Sequence, residues 1–411
     1  MDRITAFPTP AQRAADRQLW LLVALAGTII SLCMGLRQSL GLFNRPMTVE
    51  LGMPAASFGF AIALQSLVWG VAQPFVGAAA DRFGPRPVLV TTSLLFAAGL
   101  LLMAGAGGFT GALTLASLLL GVGVAGTGFG VLVGTVSQAA PAAQRTRLVA
   151  LVAAAGSLGT MAIAPLGQAL MNWQGWQAAL AGFAAIAATM ALFSIPIAGR
   201  TPGAGASAGA RHGGAAAAVR RAFAHRGYVF MALAFFACGF QLTFITTHLP
   251  AYLDLCGVAP SVGATALALI GLFNAAGTYA FGGLASRFSA RRLLALIYLL
   301  RTAFIAAFLV LPVSPASTLV FAAAMGLLWL GVIPLVSALL GRMFGLAHFN
   351  TLNGVVFLSH QLGAFVGAWM GGALFDRFGN YDLAWVALIA IGAMAFVLQW
   401  AMDEREVGPA L

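Results

Sequence analysis

Residues 77–86 read GAAADRFGPR, and residues 282–291 read GGLASRFSAR. The two stretches are 205 positions apart, and each lies between two long apolar runs. A second match has nearly the same offset: GQALMNWQG at 167–175 parallels GGALFDRFG at 371–379. Self-similarity at a fixed, long offset is the mark of a duplicated structural unit. Working outward from these loops, the chain divides into two copies of one apolar pattern.

Each copy holds six runs long enough to cross a bilayer, which takes about 20 apolar residues at 1.5 Å per residue. The runs lie near 19–43, 57–80, 87–107, 112–138, 146–170 and 176–198. The second set lies near 228–253, 260–284, 292–312, 316–341, 350–374 and 383–402. A backbone in lipid must satisfy its own hydrogen bonds, so runs of this length and uniformity read as helices. The expected fold is an all-α integral membrane protein of twelve transmembrane helices in two six-helix pseudo-symmetric halves. The expected units are 1–198, a cytoplasmic linker at 199–227, and 228–411. The linker is low in complexity from Gly203 to Ala218 and then basic at Arg220, Arg221 and Arg226, and this basic end reads as a solvated segment or as a short helix on the inner leaflet, attracted by anionic lipid.

Composition agrees with this class. Of 411 residues, 61% are hydrophobic and only 8% are charged, against about 25% in soluble domains. So few charges exclude an ordinary soluble enzyme, a disordered chain and a nucleic-acid-binding domain. The net charge of +11 follows from Arg placement instead. Every basic residue is Arg, and most lie in one alternating set of interhelical segments. The other set holds only Arg45 and Arg377, while Arg37 and Arg301 fall inside spans. This positive-inside bias puts both termini in the cytoplasm. Arg3, Arg13 and Arg17 precede a full-length first span, so no cleavable leader is read. Cys33, Cys238 and Cys256 have no metal spacing and read as free thiols. No catalytic constellation, metal site or cofactor is expected.

The DRFGPR segment resembles the loop signature of the major facilitator superfamily, G-x-x-x-D-R-x-G-R. The second copy departs from it, with Ser286 in place of the Asp and Ser289 in place of the Gly. The stretches GLRQSLGLFNRPMTVELG and GALFDRFGNYDLAW, with DRFGPR, look most like prokaryotic relatives of monocarboxylate transporters and oxalate–formate exchangers. The resemblance covers 19–402. It implies a secondary transporter of the bacterial inner membrane, working by rocking of two halves around a central cavity. It also implies a conformational latch built from Gly77, Asp81, Arg82, Gly84 and Arg86, with Arg287 and Arg291 in the second copy.

Polar residues inside the spans supply the candidate site, because ionisable groups in lipid are costly and need a functional or structural reason. No Asp or Glu lies mid-span, which excludes a carboxylate proton relay. Buried cations without buried anions favour an anionic substrate. Arg37, in the first span, is the candidate carboxylate ligand, since a guanidinium binds carboxylates bidentately. The bland alternatives are snorkelling, or pairing with Glu50 or Asp254. His360 lies mid-span with Asn353 on its face. It aligns where the exchangers carry a Lys, and it reads as an anion partner, a proton carrier or a structural histidine. From the LFN match at 272–274, the exchangers' Arg of span eight is replaced here by Thr278, whose first-half counterpart is Gln73. Gln241 and His248 share a face of span seven, and His248 reads as a proton carrier, a gate or a wetted interfacial histidine. Asn274, Gln361, Ser359 and Trp329 complete the candidate lining, and Arg301 reads as a structural pairing.

The expected partners are therefore a small organic anion, a monocarboxylate first, a proton as candidate co-substrate, and the lipid bilayer, with no nucleic acid. An exporter of neutral or drug-like hydrophobic compounds and a non-transporting membrane sensor remain open from sequence.

Overall fold

A computed structural model describes residues 10–107, 109–141, 144–197, 212–285, 287–345 and 349–406. Among these residues all regular structure is helical. Helix α1 (Pro10–Gln38) runs into a 3₁₀ turn (Leu40–Phe43) and the short α2 (Asn44–Glu50). Then come α3 (Ala55–Phe83), α4 (Pro85–Ala104), α5 (Thr110–Thr127), α6 (Phe129–Ala139) and α7 (Arg145–Ser194). After α8 (His212–Ala224) follow α9 (Arg226–Leu255), α10 (Pro260–Leu284), α11 (Ala290–Val310), α12 (Pro315–Leu327), α13 (Val332–Phe344), α14 (Phe349–Phe378) and α15 (Asp382–Trp400).

Ten stretches among the described residues are long and apolar enough to cross a membrane. One of them, within α7, contains two of the expected spans. It continues to Ser194 through a kink at Gly175, whose φ of 82° lies in the left-handed region that glycine adopts without strain. Helix α14, 30 residues long, is the remaining span. Ser359, His360 and Gln361 in its middle make it less apolar than the others.

Two expected spans are not continuous. Span four breaks at Gly128 between α5 and α6, and span ten breaks between α12 and α13. Tertiary hydrogen bonds take the backbone carbonyls freed near both breaks. Gln73 donates to Ala125 O at 3.1 Å. Arg301, fully buried, donates through Nε to Leu328 O at 3.0 Å and through Nη2 to the carbonyls of Leu328 and Trp329. A cation at a helix C-terminus also meets the negative end of the helix dipole. Arg301→Leu is expected to leave these carbonyls unsatisfied and to cost roughly 3 kcal/mol. Thermal unfolding in detergent should therefore show a Tm several degrees lower.

The expected linker is described only in part. Residues 199–211 lie outside the described residues, and His212–Ala224 form α8. Its run of alanines from 215 to 218 has high helix propensity.

Helices α1–α7 pack chiefly on one another, as do α9–α15. The two sets meet where α3 crosses α14 and where α7 crosses α10. The sequence offset reappears in the packing. A Cβ on Gly121 would come 2.8 Å from the Gln65 carbonyl oxygen, and one on Gly326 would come 2.8 Å from that of Ile270. Both glycines and both carbonyls are 205 positions apart.

Candidate functional site

Where α1, α3 and α14 meet, the residues in the middle of the bundle are polar and aromatic. Arg37 ends α1. Its Nη2 donates to Ser66 Oγ at 3.1 Å, and its guanidinium carbon stands 4.9 Å from the centroid of the Trp69 ring. Its Nε is buried without a hydrogen-bond partner. The two carboxylates nearest in sequence reasoning are engaged elsewhere. Glu50 accepts from Trp176 Nε1 at 2.7 Å and Gln177 Nε2 at 3.0 Å, and Asp254 pairs with Arg45 at 3.1 Å. Arg37 therefore has no acidic partner among the described residues.

Trp69 is oriented from behind. Its Nε1 donates to Gln73 Oε1 at 2.9 Å, and Gln73 is in turn fixed by Ala125 O. Both ends of the Gln73 amide are thus used to hold the ring against Arg37. On the facing helix, Phe357 meets Trp69 edge-on at 5.3 Å. Phe357 also stacks on His360 at 6.2 Å, and Phe235 lies 4.8 Å from the same imidazole. His360 Nδ1 is 3.0 Å from Gln361 Oε1, and Gln361 Nε2 donates to the Ser66 carbonyl at 2.8 Å. Arg37, Ser66, Trp69, His360 and Gln361 therefore form one contiguous cluster across the α3–α14 contact.

The other candidates lie outside it. Asn274 donates to Ser157 Oγ at 2.9 Å and accepts from Leu330 N and from Thr278 Oγ1. Beside it, Gln38 donates to Thr160 Oγ1 at 2.9 Å. The Asn274–Ser157 bond joins α10 to α7, the Gln38–Thr160 bond joins α1 to α7, and Asn274 is internally satisfied. Gln241 is fully buried between α9 and α15 and donates to Leu388 O. Asn353 is half-buried two turns before His360. Ser359 donates to Ala232 O at 2.7 Å, and Trp329 is buried at the break of span ten.

His248 is not at a wetted interface. It is fully buried and donates from Nε2 to Ala368 O at 2.7 Å. That bond leaves Nδ1 as an acceptor, and Asn44 Nδ2 and the Tyr381 hydroxyl each stand 3.3 Å from it. Asn44 also donates to Thr247 O. Next to this cluster, Asp376 at the end of α14 accepts from Ala55 N at 2.9 Å and Ala56 N at 2.7 Å. The first amides of α3 have no intrahelical acceptor, so a carboxylate there satisfies them and meets the positive end of the helix dipole. Together with Arg45–Asp254, these contacts close the two helix sets against each other at the Arg-poor end.

The Arg-rich end is different. Gly77 and Asp81 line a cavity of about 890 Å³ with Gln18, Leu22, Leu25 and Thr135. Leu25 and Arg37 are twelve residues apart on α1, about 18 Å at 1.5 Å per residue, so this space lies well to the Arg-rich side of the cluster. Asp81 is exposed and forms no ion pair among the described residues. Gly84, with φ 87°, makes the break into α4, and Arg82, Arg86 and Arg287 are exposed. Arg291 is bound to the chain's own tail, donating to Trp400 O and Met402 O and pairing with Glu404 at 3.8 Å. Ser286 lies outside the described residues. No group of three metal-ligating side chains occurs among the described residues.

Sequence reasoning missed Ser66, Trp69, Asn44 and Asp376. Ser66, Trp69 and Gln73 share one face of α3 by i, i+3 and i+7 spacing, a signal available once Gln73 is singled out. For Asp376 the signal was an exact tetrapeptide: DRFG occurs at 81–84 and again at 376–379.

Comparison with known proteins agrees with this architecture. No curated protein matches the chain significantly. Among solved structures, a bacterial homologue of the human lysosomal transporter Spinster, in an inward-facing and occupied conformation, superposes with a TM-score of 0.76. It is 16% identical over 94% of this chain and 98% of that one. A D-xylose–proton symporter superposes with a TM-score of 0.75 at 16% identity, over 95% of this chain and 100% of that one. The family model for the Major Facilitator Superfamily matches residues 19–368, and the chain belongs to that superfamily as a multi-pass membrane transporter, not an enzyme.

Proposed function

We propose that the protein is a secondary transporter of a small organic anion, a monocarboxylate in the first instance, working by alternating access of two halves, 1–198 and 228–411, joined by 199–227. The observation that carries this reading is Arg37. Its guanidinium lies against an aromatic face, has an unpartnered buried Nε–H and has no carboxylate beside it among the described residues. A buried donor without an acceptor costs about 1–3 kcal/mol, and a substrate carboxylate on the Nε/Nη2 edge would relieve that cost. His360 supplies a second group able to carry positive charge, and it is the proposed proton site.

On this reading the protein sits in a bacterial inner membrane, as the family resemblance implies, with both termini on the cytoplasmic side, as the Arg distribution implies. On that orientation the bonds at the Arg-poor end close the outside, and the cavity with Asp81 faces the inside. Asp81 and Arg82 are the proposed latch for the opposite state, in which the inner ends meet.

A thermal-shift panel on purified protein tests the substrate class. Acetate, lactate, pyruvate and oxalate are compared with neutral sugars and neutral hydrophobic compounds at pH 5.5 and 7.5. A ligand at 100 times its Kd stabilises the folded form by about 2.7 kcal/mol. Monocarboxylates should raise Tm while sugars do not. The aromatic walls formed by Trp69, Phe357 and Phe235 favour one rival, export of neutral hydrophobic compounds. Stabilisation by those compounds alone would replace the anion reading with it.

A further inference from the structure

The Gln361 amide stands between Arg37 and His360. Its Nε2 lies 2.8 Å from the Ser66 carbonyl, an atom that can only accept, so the amide nitrogen must face α3 and the orientation of the amide is fixed. Its Oε1 then faces His360 Nδ1 at 3.0 Å. A carbonyl oxygen can only accept, so Nδ1 must carry a proton. Neutral His360 is thereby the Nδ1–H tautomer, and Nε2 is its basic nitrogen. Ser66 accepts from Arg37 through its hydroxyl and from Gln361 through its carbonyl. The result is an unbroken path from Arg37 through Ser66 and Gln361 to His360. It crosses from the first helix set to the second.

The packing holds this amide in place. Gln361 is fully buried, and Gly70 on α3 leaves its room: a Cβ there would come 2.9 Å from Gln361 Cγ. So held, the side chain is not free to turn toward a substrate, and both ends of its amide are already committed. The other ionisable group beside His360 is the Cys238 thiol of α9, which in turn accepts from Arg301 Nη1 of α11 at 3.3 Å. Neither Cys238 nor Arg301 reaches Arg37, so among the described residues the Gln361 path is the polar connection between the two halves of the site.

We infer that Gln361 is a positioning residue: it fixes the tautomer of His360 and ties that imidazole to the Ser66 peptide against which Arg37 is held. The inference rests on reading Arg37 and His360 as the substrate and proton groups. Its structural part can be tested without any substrate.

The test uses full-length protein with ¹⁵N-labelled histidine in lipid bilayers. The His360 signals are assigned by their loss in His360→Gln, and the ring-nitrogen shifts report the tautomer. Wild type should show neutral His360 protonated at Nδ1. Gln361→Met, which keeps the length and removes both polar ends, should lose that preference. Gln361→Glu should keep it, because a carboxylate still accepts from Nδ1, while losing the donation to Ser66. With lactate as the probe, both variants should bind about fivefold more weakly than wild type, the effect of about one net hydrogen bond. An Nε2–H tautomer in wild type would overturn the inference, as would an unchanged tautomer in Gln361→Met. Unchanged lactate affinity in both variants would overturn the tie to Arg37. If lactate fails to bind wild type, the proposed substrate reading fails, while the tautomer result still decides the role of Gln361.

Discussion

Arg37→Ala should weaken monocarboxylate binding by two orders of magnitude or more and reduce uptake into proteoliposomes to the level of empty vesicles. The size follows from what is removed. A carboxylate on the Nε/Nη2 edge makes two charge-assisted hydrogen bonds, each contributing about 1.5–3 kcal/mol. Losing about 3 kcal/mol corresponds to more than a hundredfold in Kd. Arg37→Lys keeps the charge but loses the planar fork and its fit against Trp69, so it should retain binding weakened by about tenfold or more. The folded state should tolerate both changes, because Arg37 makes one hydrogen bond within the protein, to Ser66, and is only half-buried. Isothermal titration with lactate or pyruvate, with Tm measured alongside, separates loss of binding from loss of fold. Wild-type affinity in Arg37→Ala would reject the assignment.

The sequence showed Arg37 because a charge in an apolar run is conspicuous. It did not show what surrounds the charge. Trp69 in an apolar span looks like packing, and only the fold reveals that Gln73 holds its ring against the guanidinium. The same limit applies to the broken spans. Hydropathy reads a run as continuous, whereas the breaks at Gly128 and at 328–331 lie where side chains from other helices take the freed carbonyls. Those partners, Gln73 and Arg301, are distant in sequence. The duplicated pattern was legible because it is linear: the offset between the two DRF/SRF loops is also the offset between the Gly121 and Gly326 contacts. His248 shows the opposite case. Its position near a span end suggested water, but Asn44, arriving from the other helix set, covers it.

Two glycines should respond oppositely to the same substitution, and the contrast tests the proposed rocking motion. Gly159 on α7 packs against α1 so closely that a Cβ would overlap the Ser31 carbonyl. This contact lies within one helix set, so every state of a rigid-body cycle contains it. Gly159→Ala should lower Tm, with the 1–3 kcal/mol typical of overpacking. Gly41, in the turn after α1, is just as close to a backbone atom, since a Cβ there would overlap the Thr246 carbonyl of α9. That contact joins the two sets, and only a state closed at the Arg-poor end requires it. Gly41→Ala should therefore leave Tm nearly unchanged and instead penalise this state by a similar energy. Such a penalty shifts the balance of open and closed forms by about 5- to 150-fold. Spin labels at Val49→Cys and Leu255→Cys, both exposed near that end, report the change once the exposed Cys256 is replaced by Ser. Gly41→Ala should lengthen their separation and slow uptake by tenfold or more, because a carrier that rarely closes its outer end rarely delivers its substrate inside. A large fall in Tm without a change in separation would mean that the α9 contact is fixed packing, and that the two sets do not part at this end.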